Sequence, residues 1–150
     1  MIEICYAVSV GILGIFTGAQ ITEGILFIPY WKSLEPKAFF LLHKTYGPKI
    51  YQFFAPLTIA ATIIPVGTAI YSLAIDSQAK IFSALMGVFT LLFFATYFLY
   101  FKKANKSFEE ASLTDEELPV ELDRWNKWHW ARIYLEMGAL ICSLIAIVRN

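Results

Sequence analysis

Residues 80–100 have the sequence KIFSALMGVFTLLFFATYFLY and carry one charged side chain, that of Lys80 at the first position. An α-helix of about 20 apolar residues is long enough to cross the roughly 30 Å hydrocarbon core of a bilayer. This stretch is therefore predicted to be a membrane span over about residues 80–100.

Three further apolar runs follow the same pattern, so four spans are predicted, at about residues 4–28, 51–75, 80–100 and 120–148. Of the 150 residues, 58% are hydrophobic and 16% are charged, whereas soluble domains average about 25% charged residues. The predicted fold class is all-α: an integral membrane four-helix bundle, antiparallel up-down-up-down, that forms a single transmembrane domain over residues 1–150.

Two longer connections join these spans. Residues 32–50 are amphipathic and are predicted to form an interfacial elbow, a helix broken at Gly47-Pro48. Residues 102–119 form an acidic connection. In it, Thr114 and Glu117 have the spacing of a capping box, which predicts that the fourth helix begins near Leu118, before the bilayer.

Small residues and prolines predict local features of the spans. Pro56 and Pro65 are expected to kink the second span, because each lacks an N–H and clashes one turn back. Gly11, Gly14 and Gly18 are expected to mark the close-packing face of the first span.

Basic residues are distributed unequally between the two ends of the bundle. Ten of the twelve Lys and Arg residues fall in or beside the two long connections, and only Lys80 and Arg149 fall at the other end. The positive-inside rule therefore predicts cytoplasmic long connections and both termini on the non-cytoplasmic side. The formal net charge of +0 gives no indication of a nucleic-acid partner. The expected partners are membrane lipid, a hydrophobic small molecule, and an oligomer or larger membrane complex.

Unusual polar residues concentrate at the loop-side end of the spans, and the terminal end is expected to lack them. Thr17, Gln20 and Glu23 follow one another at intervals of three on the first span. A carboxylate in an apolar span costs roughly 2.5–3.5 kcal/mol on insertion scales, so Glu23 is expected to have a partner, a proton or a polar cavity.

The fourth helix carries a second polar stripe, at spacings of four, three and four residues: Trp125, His129, Arg132 and Glu136. These spacings place all four on one helical face. Two interpretations remain open. Arg132 and Glu136 can form a buried structural pair, or the stripe can line a pocket.

On the pocket interpretation, one site is predicted at the loop-side interface. The predicted catalytic residues are His129, Arg132, His43 and Glu23. A histidine would act as the base, and Arg132 and Asn105 would stabilise an oxyanion. The predicted substrate-binding residues are Asn105, Trp125, Trp128 and Gln20. The cofactor is unknown, with none, haem and a metal ion all open, and a metal ion would be held by His43, His129, Glu23 and Glu136.

At these residues the sequence resembles the DUF1772, or anthrone oxygenase-like, family of four-span integral membrane proteins. The likeness is carried by Gly18-Ala19 with Glu23 and Pro29, by Phe39-Phe40…His43…Tyr46-Gly47-Pro48, by Asn105-Lys106, and by the segment from Arg124 to Arg132. The more specific motifs are Asn105-Lys and the Trp-x-x-x-His-x-x-Arg formed by Trp125, His129 and Arg132.

The resemblance implies a small membrane protein that shares an intramembrane pocket with fungal members similar to enzymes oxidising anthrones. The first functional hypothesis is an oxygenase or oxidoreductase on a hydrophobic phenol- or quinone-like substrate. The alternative is a non-enzymatic accessory or ligand-binding subunit that holds a lipid, quinone, pigment or haem. A microsomal glutathione-transferase-like trimer is a weaker alternative, since the chain lacks an arginine-rich thiolate site.

Overall fold

The computed structural model describes residues Met1–Asn150 and contains helices and no strands. Its α-helices are α1 (Ile2–Thr22), α2 (Ile28–Lys32), α3 (Pro36–Ala74), α4 (Lys80–Thr96), α5 (Lys102–Glu109) and α6 (Glu117–Arg149). A first π-helical turn, Glu23–Phe27, joins α1 to α2, and a second, Tyr97–Phe101, joins α4 to α5.

The chain thus forms four long helices, Ile2–Lys32, Pro36–Ala74, Lys80–Glu109 and Glu117–Arg149. Each is long and apolar enough to cross a membrane. The predicted all-α fold with four candidate spans is confirmed, and it fits a multi-pass integral membrane protein.

The helices pack as a closed ring of neighbours. The α6 helix contacts α1 and α4, and α3 contacts the same two helices. Large apolar side chains such as Ile15, Ile63 and Leu91 are exposed on the outer surface. Such an exterior is expected where the surrounding solvent is lipid rather than water.

The break predicted at Gly47-Pro48 is wrong, because α3 continues through Pro48, Pro56 and Pro65. A proline removes one hydrogen bond and disturbs one turn, whereas interrupting a helix in apolar surroundings would leave several more backbone groups without partners. Helical structure continues beyond the third predicted span, to Glu109.

The predicted capping box at the start of α6 is confirmed. The Thr114 amide donates to Glu117 Oε2 at 2.9 Å, and the Glu117 amide donates to Thr114 Oγ1 at 3.2 Å. Each side chain thus satisfies a backbone donor of the other residue, which defines where the helix begins.

The prediction of a close-packing face on α1 is wrong, because a Cβ atom would meet nothing within 4 Å at any of the three positions Gly11, Gly14 and Gly18. The close approaches occur elsewhere. A Cβ on Gly87 would lie 3.0 Å from the Ala69 Cβ, and one on Gly138 would lie 3.2 Å from the Phe89 ring. The small-residue spacing on α1 does not specify which face turns inward, and α1 buries Leu13, Phe16 and Thr17 instead.

Hydroxyl side chains form hydrogen bonds between helices at the terminal end of the bundle. The Tyr6 hydroxyl is hydrogen-bonded to Ser72 Oγ at 2.7 Å and lies 3.3 Å from Ser77 Oγ. Ser9 Oγ donates to Thr68 Oγ1 at 3.0 Å. Small hydroxyls from different helices thus satisfy one another at this end.

Candidate functional site

A buried group of ionisable and amide side chains lies between α1 and α6. We define the polar cluster as Gln20, Glu23, His129, Arg132 and Glu136. Relative to their fully exposed areas, His129 is 0%, Glu136 1%, Gln20 2% and Glu23 5% exposed. The two predicted polar stripes therefore face each other across one helix–helix contact.

The imidazole of His129 has both nitrogens engaged. Its Nε2 lies 2.8 Å from the backbone carbonyl oxygen of Gln20. A carbonyl only accepts, so this nitrogen carries the proton. Its Nδ1 then accepts a hydrogen bond from Arg132 Nη2 at 2.9 Å. Trp125 stacks on the ring at 4.9 Å between centroids, with 15° between planes. His129 is therefore held as one neutral tautomer.

Arg132 connects the two helices. Its Nη2 also donates to the Gln20 side-chain oxygen at 2.5 Å, and its guanidinium carbon lies 4.2 Å from the centre of the Phe101 ring, a cation–π distance. Glu23 Oε2 lies 3.8 Å from both Arg132 Nη2 and His129 Nδ1. Glu23 is therefore the nearest charge of opposite sign, but it is not hydrogen-bonded to either group.

The first interpretation of the stripe, a buried ion pair between Arg132 and Glu136, is wrong, because no nitrogen of Arg132 lies within 4.0 Å of a Glu136 oxygen. Both Glu136 carboxylate oxygens, Arg132 Nε and Thr17 Oγ1 are buried without a hydrogen-bond partner. Polar atoms without partners cost several kcal/mol each in an apolar interior. The polar cluster therefore retains hydrogen-bonding capacity for a ligand or water.

Both π-helical turns lie beside the polar cluster. Glu23 begins the first turn, and Phe101, which covers Arg132, ends the second. Single π-helical turns are rare and frequently occur at functional sites. Pro29 follows the first turn and lacks a backbone N–H, so it interrupts the regular α-helical hydrogen bonds there and is a signal in the sequence for that turn. No proline lies near the second turn.

Comparison of the chain with protein-family models, curated proteins and solved structures gives no match. The resemblance to the anthrone oxygenase-like family stays a prediction.

The other predicted site residues lie outside the polar cluster. His43 Nδ1 donates to the Phe39 carbonyl at 3.1 Å, and its ring contacts Trp31 at 5.0 Å between centroids. Trp31 in turn contacts Trp125 at 5.7 Å, so aromatic rings stand between the two histidines. Trp128 stacks on Tyr100 at 5.2 Å instead of facing the polar cluster.

Asn105 is exposed and connects to the site through a tryptophan. Its Oδ1 accepts a hydrogen bond from Trp125 Nε1 at 2.9 Å. Asn105 is thus joined to His129 by way of the stacked Trp125 ring. The sequence placed these three residues at the same end of their helices, and the structure links them in a row.

The residues considered as metal ligands are not placed to share one metal ion, and His43 lies outside the polar cluster. No group of three or more His, Cys, Asp or Glu side chains is placed to hold one metal ion. Two of the cavities in the molecule lie at this end. The smaller, of about 160 Å³, includes Lys32 and Asp123 in its lining. The larger, of about 620 Å³, includes Asn105 but none of the residues of the polar cluster.

Proposed function

We propose that this chain is an integral membrane protein whose polar cluster binds a hydrophobic molecule with a phenol or quinone oxygen. It would act on that molecule as an oxygenase or oxidoreductase. One observation carries the proposal: Arg132 Nε and both oxygens of Glu136 are buried without partners, at the same site as Glu23. A ligand oxygen that accepts from Arg132 Nε and a ligand hydroxyl that donates to one Glu136 oxygen would satisfy two of these three atoms.

The arrangement also favours particular roles for the residues. His129 already accepts from Arg132, so it serves to orient the guanidinium. Glu23 makes no hydrogen bond and lies 3.8 Å from Arg132, which makes it the better base for a phenol or an activated C–H. Arg132 would stabilise the resulting oxyanion. An electron-rich carbanion formed in this way can react directly with dioxygen, which would be the oxidant.

The test is a binding and turnover experiment on the purified protein. Tryptophan fluorescence would follow titration with a decyl-substituted benzoquinone, its hydroquinone and anthrone, and an oxygen electrode would follow turnover. We expect Arg132→Gln to abolish binding, and Glu23→Gln to abolish oxygen uptake while it retains binding. Glu121→Gln is the matched control, because Glu121 is eleven residues before Arg132 on α6 and is hydrogen-bonded to Tyr100 and Arg124 instead of the polar cluster. Absence of binding by the wild-type protein would reject the proposal.

A non-enzymatic binding subunit is the second candidate, and the engagement of both His129 nitrogens favours it. A histidine held in this way is built to position a group rather than to exchange protons. In that case the protein would bind a lipid, quinone, pigment or haem stoichiometrically and consume no oxygen. An absorption spectrum with metal analysis separates these ligands, because haem gives a Soret band.

We also infer the antiparallel up-down-up-down arrangement, with the long connections cytoplasmic. Two observations support the antiparallel arrangement, and the unequal distribution of basic residues supports the cytoplasmic side. Only a short segment, from Ile75 to Ala79, joins α3 to α4. Residues near the start of α1 contact the end of α3, as in the Tyr6–Ser72 bond, while Gln20 near the end of α1 contacts Arg132 in the first half of α6.

A further inference from the structure

The larger cavity lies between α3 and the end of the third long helix, away from the polar cluster. Its volume is about 620 Å³, and it is lined by Lys44, Tyr51, Tyr97, Lys102, Asn105, Lys106, Glu109 and Glu110. Tyr51 begins one predicted apolar run and Tyr97 lies near the end of another. The cavity therefore stands where apolar helix surface gives way to charged surface, at the level expected for lipid headgroups.

The charges lining this cavity are of both signs, and three of them are unpaired. Lys106 and Glu110 form an ion pair at 3.6 Å. Lys44, Lys102 and Glu109 have no ion-pair partner within 4.0 Å. Two cations and one carboxylate thus remain available to a ligand, on two different helices.

Asn105 adds an oriented donor. Its side-chain oxygen is occupied by the indole N–H of Trp125, so its Nδ2 group is the part of the amide left to bond a ligand. An amide N–H₂ beside two ammonium groups is a suitable set of donors for phosphate oxygens.

We propose that this cavity binds a phosphodiester headgroup that carries a primary ammonium, as in phosphatidylethanolamine. The phosphate would lie against Lys44, Lys102 and Asn105, and the ammonium would donate to Glu109. A trimethylated headgroup cannot donate hydrogen bonds to Glu109, and a glycerol headgroup has no positive charge for it. The acyl chains would follow the exposed apolar surface beyond Tyr51 and Tyr97. The inference rests on the four helices spanning a membrane and not on the chemistry of the polar cluster.

Native mass spectrometry of the whole protein tests this, after equilibration with equal amounts of ethanolamine, choline and glycerol phospholipids. We expect the ethanolamine lipid to be retained preferentially. Lys44→Gln and Lys102→Gln should each lower retention of all three lipids about fivefold. Glu109→Gln should lower retention of the ethanolamine lipid alone. Lys49→Gln and Lys103→Gln are matched controls, because these exposed lysines on the same two segments do not line the cavity.

Three results would overturn the proposal: equal retention of the three lipids, equal effects of the Lys102 and Lys103 substitutions, or unchanged headgroup preference in Glu109→Gln. Inorganic phosphate and phosphoethanolamine serve as soluble competitors. Displacement of the lipid by either at equimolar concentration would instead assign the cavity to a free phosphate compound. Thermal stability and quinone binding of each variant are measured in parallel, so that a failure here is distinguishable from a failure at the polar cluster.

Discussion

Replacement of Arg132 by methionine tests whether the polar cluster is held together by one cation. Methionine preserves the length and apolar contacts of the stem but removes the guanidinium. The hydrogen bonds from Arg132 Nη2 to Gln20 Oε1, at 2.5 Å, and to His129 Nδ1, at 2.9 Å, would be lost. Glu23 and Glu136 would then remain in the cluster without a cation.

The expected cost can be bounded in two ways. Hydrogen bonds to a charged group contribute about 1.5–3 kcal/mol each, so two of them give roughly 3–6 kcal/mol. Removal of one partner from a buried ionic group costs about 3–5 kcal/mol by comparison with other proteins. The two figures describe the same loss, so we expect Arg132→Met to lower the free energy of unfolding by about 3–5 kcal/mol.

A double-mutant cycle makes the test specific to the charge. In a Glu23→Gln background one uncompensated carboxylate is already absent, so Arg132→Met should cost about 1–2 kcal/mol less. Unfolding is followed by circular dichroism in mixed micelles of increasing SDS content. Arg124→Met is the matched control, because the Arg124 side chain, which pairs with Glu121 at 3.0 Å, is exposed. Such an ion pair should be worth at most about 1 kcal/mol. Equal costs for the two arginines, or strict additivity with Glu23→Gln, would refute the reasoning.

Three further predictions concern the fold. Gly87→Leu should destabilise the bundle by about 1–3 kcal/mol in the same unfolding assay, whereas Gly14→Leu should leave stability nearly unchanged; the reverse order would contradict the packing. Thr114→Ala should cost about 1 kcal/mol and speed amide exchange in the first turn of α6, and Thr114→Ser should not. Cysteines at Gln78 and Ser112, in a variant without the native cysteines, should label with an impermeant maleimide from opposite sides, with Ser112 cytoplasmic; labelling from one side would reject the four-span topology.

Much of the candidate site could be predicted because helical spacing is a local property. The intervals between Gln20 and Glu23, and between Trp125, His129 and Arg132, place each set on one face of its helix. The cost of leaving such groups in lipid then favours mutual contact. The structure brings these residues together. The separation of His43 from the polar cluster could not be predicted, because it depends on how Trp31 of α2 lies between His43 of α3 and Trp125 of α6.

The sequence by itself determined the four long apolar helices and the start of the last one. Composition over about 20 residues decides whether a segment can lie in lipid, and the Thr114–Glu117 capping box involves residues three apart. Neither property needs knowledge of a distant part of the chain.

Only the tertiary structure decided which groups face each other. Arg132 is hydrogen-bonded to Gln20 on α1 and not to Glu136 on its own helix. Gly87 lies against a neighbouring helix, whereas Gly14 has open space beside it. The π-helical turns beside the polar cluster also appear only in the structure. The physical reason is that apolar residues surround each span on all sides, so hydrophobicity alone does not orient a helix in lipid. The rotation of each helix is set by close packing and by the pairing of buried polar groups, and both depend on all four helices at once.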